Sequence, residues 1–165
     1  MDYSAILNYF EESARNGHWN SLYNSKNQDS YSFIVRLHKT INLIGAFKDK
    51  KVLDLGCGTG ALLPFVIKND GRYIGLDASE NMLNEIKKIY PEYANNEKIT
   101  LIHGDIKNIT LPDNIDIITG LGFIEYVDSP VKLFKTFYDK LNINGRLILS
   151  FPNSCSLDYM CVQSL

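Results

Sequence analysis

The 165-residue sequence has few of the features that mark specialised classes of protein. Its three cysteines are odd in number and lack zinc-ligand spacing, which favours a reduced chain over a disulfide or zinc framework. No apolar run approaches the roughly 20 residues that span a bilayer, and the amino terminus shows no secretory pattern. A formal net charge of −2 gives no basic signature. We therefore expect a cytoplasmic protein without a membrane or nucleic-acid partner.

What is present is the composition of an ordinary globular domain. Apolar residues make up 45% of the chain and charged residues 22%, and the length suits one domain. The chain shows no repeat and no low-complexity tract. It also shows no cluster of metal-ligand residues, so we expect no metal.

Short apolar runs and helical patterns alternate from residue 47 onward. The predicted strands are Val52–Leu55, Tyr73–Leu76, Ile99–Ile102, Ile115–Thr119 and Arg146–Phe151. The predicted helices between them are Ala61–Lys68, Glu80–Ile89 with Ser79 as its cap, and Val131–Leu141 opened by Asp128-Ser-Pro130. Because the strands are apolar almost throughout, the pattern predicts an α/β fold with a doubly wound, mostly parallel sheet covered on both faces.

The amino-terminal part of the chain has a different pattern. Residues 1–46 are predicted to form a helical lid segment, with helices over residues 4–15 and Ser32–Ala46. A polar, aromatic stretch, Gly17–Tyr23, lies between these helices. Residues 47–165 form the sheet-containing core, and the two parts are predicted to belong to a single domain.

The segment Val52-Leu-Asp-Leu-Gly-Cys-Gly-Thr-Gly60 carries the strongest functional signal. A strand with an acidic residue, Asp54, breaks into three alternating glycines. Glycines at this spacing allow a sharp turn and a close approach of the backbone to a ligand. A helix that begins after such a turn offers unpaired N–H groups to the ligand. The segment therefore predicts a nucleotide-like cofactor at the carboxyl end of the sheet.

Two further carboxylates lie at the ends of the next two predicted strands. Asp77 follows Gly56 by 21 positions, and an acidic residue at this place accepts hydrogen bonds from ribose hydroxyls. Asp105 ends the third strand, where a carboxylate can accept from an adenine amino group. The alternative for Asp77 is a capping or turn residue, and the alternative for Asp105 is a turn residue.

The glycines also fit a dinucleotide fingerprint, because Gly56-Cys-Gly-Thr-Gly-Ala61 matches G-x-G-x-x-A. Asp54 argues against that ligand. A carboxylate facing a pyrophosphate costs about 4 kcal/mol when the charges are about 4 Å apart. S-adenosylmethionine has no phosphate and carries an ammonium and a sulfonium, which an anion favours. The residues thus favour the methyl donor, and an NAD-dependent oxidoreductase is the remote alternative.

Val52–Gly60 resembles motif I of the class I S-adenosylmethionine-dependent methyltransferases. The resemblance continues in the family's order through Gly75–Leu83, Gly104–Ile106, Asp116–Val127 and Leu141–Asn153, and it covers about residues 30–153. It implies a Rossmann-like fold and an enzyme that transfers a methyl group to an acceptor at O, N or C, leaving S-adenosylhomocysteine. The unremarkable charge and the aromatic amino-terminal segment favour a small-molecule acceptor.

The resemblance also implies roles for the residues of the motifs. The three glycines hold the methionine part of the cofactor, and Asp54 orients its ammonium through backbone or water. Asp77 holds the ribose, and Asp105 with the Ile106 N–H contacts the adenine. The predicted cofactor-binding residues are Arg36, Asp54, Gly56, Cys57, Gly58, Gly60, Asp77, Ala78, Met82, Asp105, Ile106 and Leu121.

Other implied roles keep a structural alternative. Met82 packs beside the adenine or ribose, or belongs to a helix core. The Leu121 backbone contacts the aminoacyl part of the cofactor. Arg36 pairs with the cofactor carboxylate, or it is an exposed helical arginine. The stretch His18–Tyr23 with Tyr31 resembles an aromatic lid over the cofactor, or packs onto the sheet.

The chain departs from the family pattern at Glu125-Tyr-Val127, where many relatives have Glu-His-Val. If that histidine is a general base in some relatives, this chain lacks it. Tyr126 then positions the substrate, or acts as a base only with a strongly lowered pKa. Methyl transfer needs no covalent enzyme intermediate, so positioning can suffice. We therefore predict no particular catalytic residue.

A second departure concerns the last strands of the family's sheet, which have no counterpart after the fifth predicted strand. Leu147–Phe151 is then an apolar edge strand, which favours association. We expect either a truncated chain or a homo-oligomer or partner chain that covers this edge. A cofactor-binding module that is inactive on its own is the corresponding alternative function.

Overall fold

The computed structural model describes residues 3–24, 28–93, 95–127 and 130–151. The helices are α1 (Tyr3–Arg15), α2 (His18–Asn24), α3 (Gln28–Ile44), α4 (Leu63–Lys68), α5 (Glu80–Ile89) and α6 (Pro130–Lys140). The strands are β1 (Lys51–Leu55), β2 (Arg72–Asp77), β3 (Ile99–His103), β4 (Ile115–Gly120) and β5 (Leu141–Leu149).

The five strands form one sheet in the order β3-β2-β1-β4-β5, and every neighbouring pair is parallel. The predicted doubly wound, parallel α/β fold is therefore confirmed. The chain runs outward from β1 in one direction and then returns to place β4 on the other side of β1. The carboxyl ends of β1 and β4 thus form the topological switch point, where such sheets bind ligands.

Apolar side chains cover both faces of the sheet, as its nearly continuous apolar strands require. One face packs against residues of α3, α4 and α5, with Leu37, Val66 and Ile86 among the buried contacts. The other face packs around Phe137 of α6 and Leu111, which are 0% and 2% exposed. This two-sided core fixes the strand ends that carry the candidate site.

The predicted cap of α5 is confirmed in detail. The Ser79 hydroxyl oxygen accepts a hydrogen bond from the Met82 N–H at 3.1 Å, and Ser79 itself is completely buried. The cap fixes the start of α5 directly after β2. It therefore fixes the orientation of the segment Asp77–Ser79, which faces the sheet's carboxyl edge.

Several predicted elements begin or end at other residues, and two differences are larger than a shift of bounds. The aromatic stretch Gly17–Tyr23 is largely helical, because His18–Asn24 forms α2. The last strand begins at Leu141, five residues before the predicted start. In this strand Leu141 pairs with Ile115 and Arg146 with Ile117, so β5 bulges between these pairs. The bulge contains Asn144 at φ 65° followed by a glycine, and this sequence is typical of a turn. The predicted cap residues Asp128 and Ser129 lie outside the described residues.

The outer edge of β5 pairs with no other strand within the described ranges. Ile143 on this strand is 95% exposed and Phe151, just after it, is 63% exposed. An edge of this kind favours association with another chain. The homo-oligomer or partner chain expected at this edge stays a prediction. None of the described helices combines the length and apolarity that crossing a bilayer requires.

Candidate cofactor-binding site

A cavity lies at the carboxyl edge of the sheet, below the amino-terminal helices. It encloses about 970 Å³ of empty space, part of which opens to solvent. Its wall comes from the ends of β1, β2 and β3, from the segment after β4, and from α1 and α2. The lining residues at the strand ends are Gly56, Cys57, Gly58, Thr59, Leu76, Asp77, Ala78, Gly104, Asp105, Ile106, Lys107, Gly122 and Phe123.

The three glycines of the turn after β1 have different surroundings. A Cβ on Gly56 would lie 3.0 Å from the Phe123 ring, and one on Gly60 would lie 3.1 Å from Ile86. Gly58, at φ +53°, has no protein atom within 4 Å of the Cβ position among the described residues. Gly58 is therefore the glycine whose missing side chain leaves room for a ligand.

Several N–H groups at this turn are paired within the protein, so fewer of them are free for a ligand than expected. The Gly58 N–H donates to the Asp77 carboxylate at 2.8 Å. The Gly60 N–H donates to the Cys57 carbonyl at 2.9 Å, and the Leu63 N–H to the Gly60 carbonyl at 3.0 Å. These bonds occupy donors that a phosphate would need. The turn thus suits a ligand without phosphate.

Asp77 connects the glycine turn to the start of α5. Its Oδ2 accepts from the Gly58 N–H at 2.8 Å and its Oδ1 accepts from the Ser79 N–H at 2.9 Å. Burial raises the pKa of Asp77, and these two hydrogen bonds oppose the increase. Each carboxylate oxygen can accept more than one hydrogen bond. Asp77 therefore has the structural role of a capping or turn residue, and its carboxylate can still accept hydrogen bonds from a ligand in the cavity.

Asp105 and Met82 also combine a structural role with a position on the cavity wall. The Asp105 Oδ1 accepts from the Lys107 N–H at 2.9 Å, as in an Asx turn. Met82 is 2% exposed in α5, as a helix-core residue would be, yet it lines the cavity. For these two residues the structural and the functional interpretations are compatible.

Asp54 does not line the cavity, which changes the argument against a dinucleotide. Its carboxylate is 5% exposed and lies among the strands. It accepts from the Thr119 hydroxyl at 2.7 Å and from the Tyr73 hydroxyl at 3.0 Å. The carboxylate therefore does not face a pyrophosphate directly. The paired N–H groups of Gly58 and Gly60 are the stronger reason against that group.

The raised pKa of Asp54 predicts that the folding stability depends on pH. Burial raises its pKa from 3.8 to about 6, although the hydrogen bonds from Thr119 and Tyr73 oppose the increase. Between these two values the folded state keeps a proton that the unfolded state has released. Folding stability should therefore fall as the pH rises through this window, by up to about 3 kcal/mol.

The substitution Asp54→Asn isolates this contribution, because asparagine does not titrate. We expect the free energy of unfolding of the variant, relative to the unchanged protein, to increase by about 2 kcal/mol between pH 4 and pH 7. Urea unfolding of both proteins across this range measures the difference. Parallel pH profiles would contradict the assignment of a raised pKa to Asp54.

Arg36 lies beside the cavity and is not among its lining residues. Its guanidinium carbon is 4.8 Å from the centre of the Phe33 ring, and its Nη1 would be 2.9 Å from a Cβ on Gly122. The Arg36 Nε is buried and has no hydrogen-bond partner among the described residues. A buried donor without a partner costs about 1–3 kcal/mol, so its presence points to an acceptor supplied by a ligand.

The structure brings eight of the twelve predicted cofactor-binding residues onto the cavity wall. These are Gly56, Cys57, Gly58, Asp77, Ala78, Met82, Asp105 and Ile106. The other four, Arg36, Asp54, Gly60 and Leu121, lie outside the lining. In the segment after β4, Gly122 rather than Leu121 lines the cavity. The binding roles of all twelve stay predictions.

The predicted helical lid segment included the helix over residues 4–15, but none of its residues was predicted to line the cavity. Ile6, Leu7 and Phe10 of this helix line the cavity. The helix is held in place by Glu11, whose carboxylate accepts from the Glu80 N–H at 2.9 Å. Glu80 is the first residue of α5, where a carboxylate is favoured by the helix dipole. The apolar spacing of Ile6, Leu7 and Phe10 was the only signal in the sequence.

Part of the predicted aromatic lid lines the cavity. Trp19 and Tyr23 do so, whereas Tyr31 is 71% exposed and lies outside the lining. The Phe10 ring centre is 5.6 Å from that of Trp19 and 5.2 Å from that of Tyr126. These rings bring α1, α2 and the segment after β4 together at one end of the cavity.

Two cavity residues with acid–base or nucleophilic potential are held in their neutral forms. Burial raises the pKa of the Tyr126 hydroxyl, and Glu125 raises it further. Burial raises the pKa of the Cys57 thiol well above its ordinary value, with added repulsion from Asp77. Neither group is therefore suited to act as a base or nucleophile near neutral pH.

Fold and site together define a Rossmann-like domain with a site for a nucleoside-containing ligand at the topological switch point. A family model described as "Methyltransferase domain" matches residues 53–147. The chain belongs to this family, the class I methyltransferases, whose cofactor is S-adenosylmethionine.

Among solved structures, the chain is similar to magnesium protoporphyrin IX methyltransferase from Synechocystis with bound S-adenosylhomocysteine. The TM-score is 0.76 at 20% identity, over 99% of this chain and 77% of that one. This likeness supports the fold.

Two relatives have names that indicate different methyl acceptors. The mitochondrial ubiquinone biosynthesis O-methyltransferase of Schizosaccharomyces pombe is 31% identical over 105 residues, which are 63% of this chain and 38% of that protein. Protein arginine N-methyltransferase 1 of Saccharomyces cerevisiae is 35% identical over 115 residues, 67% of this chain and 32% of that protein. The chain thus spans less than half the length of these two relatives.

Proposed function

We propose that this protein transfers a methyl group from S-adenosylmethionine to a small-molecule acceptor. The observation that carries the proposal is the cavity at the switch point, where Gly58 leaves open space and Asp77 presents a carboxylate. Family membership supports the cofactor. The choice of a small acceptor rests on the largely apolar lining of the cavity and on its cover by α1 and α2, since a protein segment needs an open groove.

The cavity wall supports a consistent placement of the cofactor. The glycine turn holds the methionine part, and Asp77 accepts from the ribose hydroxyls. Asp105 and the Ile106 N–H contact the adenine, with Met82 beside it. This order follows the order of the strand ends across the sheet, from β1 through β2 to β3.

Arg36 is proposed to pair with the carboxylate of the cofactor. Its Nε is a buried donor without a partner in the described part of the chain, and its guanidinium lies next to Gly122 on the cavity wall. A carboxylate would satisfy this donor through a charge-assisted hydrogen bond.

The substitution Arg36→Met tests this placement. We expect the affinity for S-adenosylhomocysteine to fall about ten- to hundredfold, as for a hydrogen bond to a charged group. The affinity for 5′-methylthioadenosine, which lacks the amino-acid part, should change less than about twofold. Calorimetric titration measures both. Arg72→Met, at an exposed position on the opposite edge of the sheet, is the matched control. Equal losses for both ligands would contradict the pairing.

The chemistry requires little of the protein beyond positioning. When bound, S-adenosylmethionine supplies a methyl carbon that the acceptor nucleophile attacks in line with the breaking bond to sulfur, and S-adenosylhomocysteine remains. The walls formed by α1 and α2 cover one side of the cavity. Tyr126 stays protonated and can orient an acceptor by hydrogen bonding. The proton that the nucleophilic group loses passes to solvent or to a basic group within the acceptor molecule.

The experiment that tests the function is methyl transfer from radiolabelled S-adenosylmethionine to two fractions of a cell extract, small molecules and macromolecules. The proposal predicts label in the small-molecule fraction. Label confined to protein would contradict the small acceptor. Binding of the cofactor without label in either fraction would favour a cofactor-binding module that is inactive on its own.

A further inference from the structure

The aromatic end of the cavity has features that the cofactor placement does not use. Phe10 of α1, Trp19 of α2 and Tyr126 after β4 line this end, and the Phe10 ring contacts the other two. Val127 adds an aliphatic side chain to the same wall. Flat aromatic faces that surround an open space favour a flat, apolar guest.

The polar groups at this end are hydrogen-bond donors. The Trp19 Nε1 is buried and has no partner within the described ranges. An indole N–H can only donate, so its partner must be an acceptor. Arg36 lies close enough to Tyr126 to lower its pKa, although burial dominates that pKa and raises it. Glu125 acts in the opposite direction and raises the same pKa. The unpaired indole N–H is therefore the group that favours an acceptor oxygen at this end.

The carboxylates that line the cavity lie elsewhere. Among the described lining residues, Asp77 and Asp105 are the acidic ones, and both lie at strand ends. Asp77 accepts two backbone N–H groups and Asp105 accepts one. A guanidinium acceptor requires carboxylates around it. At the aromatic end the described lining residues include no carboxylate, although Glu125 is close enough to Tyr126 to raise its pKa, and Trp19 supplies a donor there.

We propose that the aromatic end, formed by Phe10, Trp19, Tyr126 and Val127, is the subsite for the methyl acceptor, and that the Trp19 indole N–H binds an oxygen of that acceptor. The substrate class is a flat, largely apolar small molecule that carries a phenol, carbonyl or carboxylate oxygen. The inference rests on the proposed function, because it takes the remaining part of the cavity as the cofactor site.

Trp19 is the only tryptophan of the chain, so its fluorescence reports directly on the subsite. The protein is first saturated with S-adenosylhomocysteine and then titrated with 2-naphthoate, with naphthalene and with N-acetylarginine amide. We expect 2-naphthoate to change the fluorescence with saturation and to bind about fivefold or more tightly than naphthalene, as a single hydrogen bond allows. N-acetylarginine amide should cause no saturable change.

The substitution Trp19→Phe keeps an aromatic ring and removes the donor. Calorimetry on the S-adenosylhomocysteine complex should show about a five- to tenfold loss of affinity for 2-naphthoate. The affinity for naphthalene should change less than about twofold, because a repacking of the cavity would weaken both ligands. Trp19→His, which restores a ring N–H, should recover part of the loss.

The outcomes separate this inference from the proposed function. If S-adenosylhomocysteine does not bind to the unchanged protein, the proposed function fails. If it binds equally well to the unchanged protein and to Trp19→Phe, yet 2-naphthoate affinity is the same in both, the role of Trp19 is overturned. Saturable binding of N-acetylarginine amide without binding of 2-naphthoate would overturn the substrate class.

Discussion

Replacing Gly58 by alanine should reduce the affinity for S-adenosylhomocysteine about ten- to hundredfold, because the added methyl group enters space that the cofactor needs. No described protein atom lies within 4 Å of that Cβ position, and Gly58 lines the cavity. The methyl group therefore meets the ligand rather than the protein. Calorimetric titration at constant pH measures the loss.

A loss of affinity at Gly58 could also follow from backbone strain, since alanine at φ +53° costs about 1–2 kcal/mol. Gly45 provides a matched control. It has φ +73° and no described atom within 4 Å of its Cβ position, and it lies at the end of α3, outside the cavity lining. Gly45→Ala should lower stability to a similar extent and leave the affinity unchanged. Equal affinity losses in both variants would contradict the role of Gly58.

The substitution Asp77→Ala should affect folding and binding together. It leaves the N–H groups of Gly58 and Ser79 without their carboxylate, at a cost of about 1–3 kcal/mol each in the folded state. It also removes the acceptor proposed for the ribose hydroxyls. We expect the affinity to fall at least about hundredfold for S-adenosylhomocysteine and for 5′-methylthioadenosine, because both contain the ribose.

Asp116 separates the two effects. It accepts from the Lys51 N–H at 2.9 Å and from the Asn142 amide at 3.1 Å, at the amino-terminal edge of the sheet. Asp116→Ala should lower the free energy of unfolding and leave the cofactor affinity intact. If both variants lose affinity in proportion to their loss of stability, Asp77 has only a structural role.

The fold could be predicted because its determinants are local in the sequence. Apolar runs of four to six residues marked the strands, and Ser79 marked the start of α5. The irregular β5 could not be predicted. Its bulge at Asn144 depends on pairing with β4, which comes about 26 residues earlier, and the asparagine–glycine pair there looks like a turn.

The site was predictable to the extent that it lies at strand ends. Glycines and carboxylates there are brought together by the parallel topology alone, which places Gly58 next to Asp77. The partners of Asp54 were not predictable, since Tyr73 and Thr119 come from two different neighbouring strands. The contribution of Phe10 was missed because α1 reaches the cavity through its packing on α5, a contact without a signal in either segment.

The most direct test of the account is a calorimetric titration of the full chain with S-adenosylmethionine, S-adenosylhomocysteine and NAD under the same conditions. Membership of the methyltransferase family predicts saturable binding of S-adenosylmethionine and S-adenosylhomocysteine. The paired N–H groups of Gly58 and Gly60 predict no measurable binding of NAD. Binding of NAD without binding of S-adenosylmethionine or S-adenosylhomocysteine would contradict it.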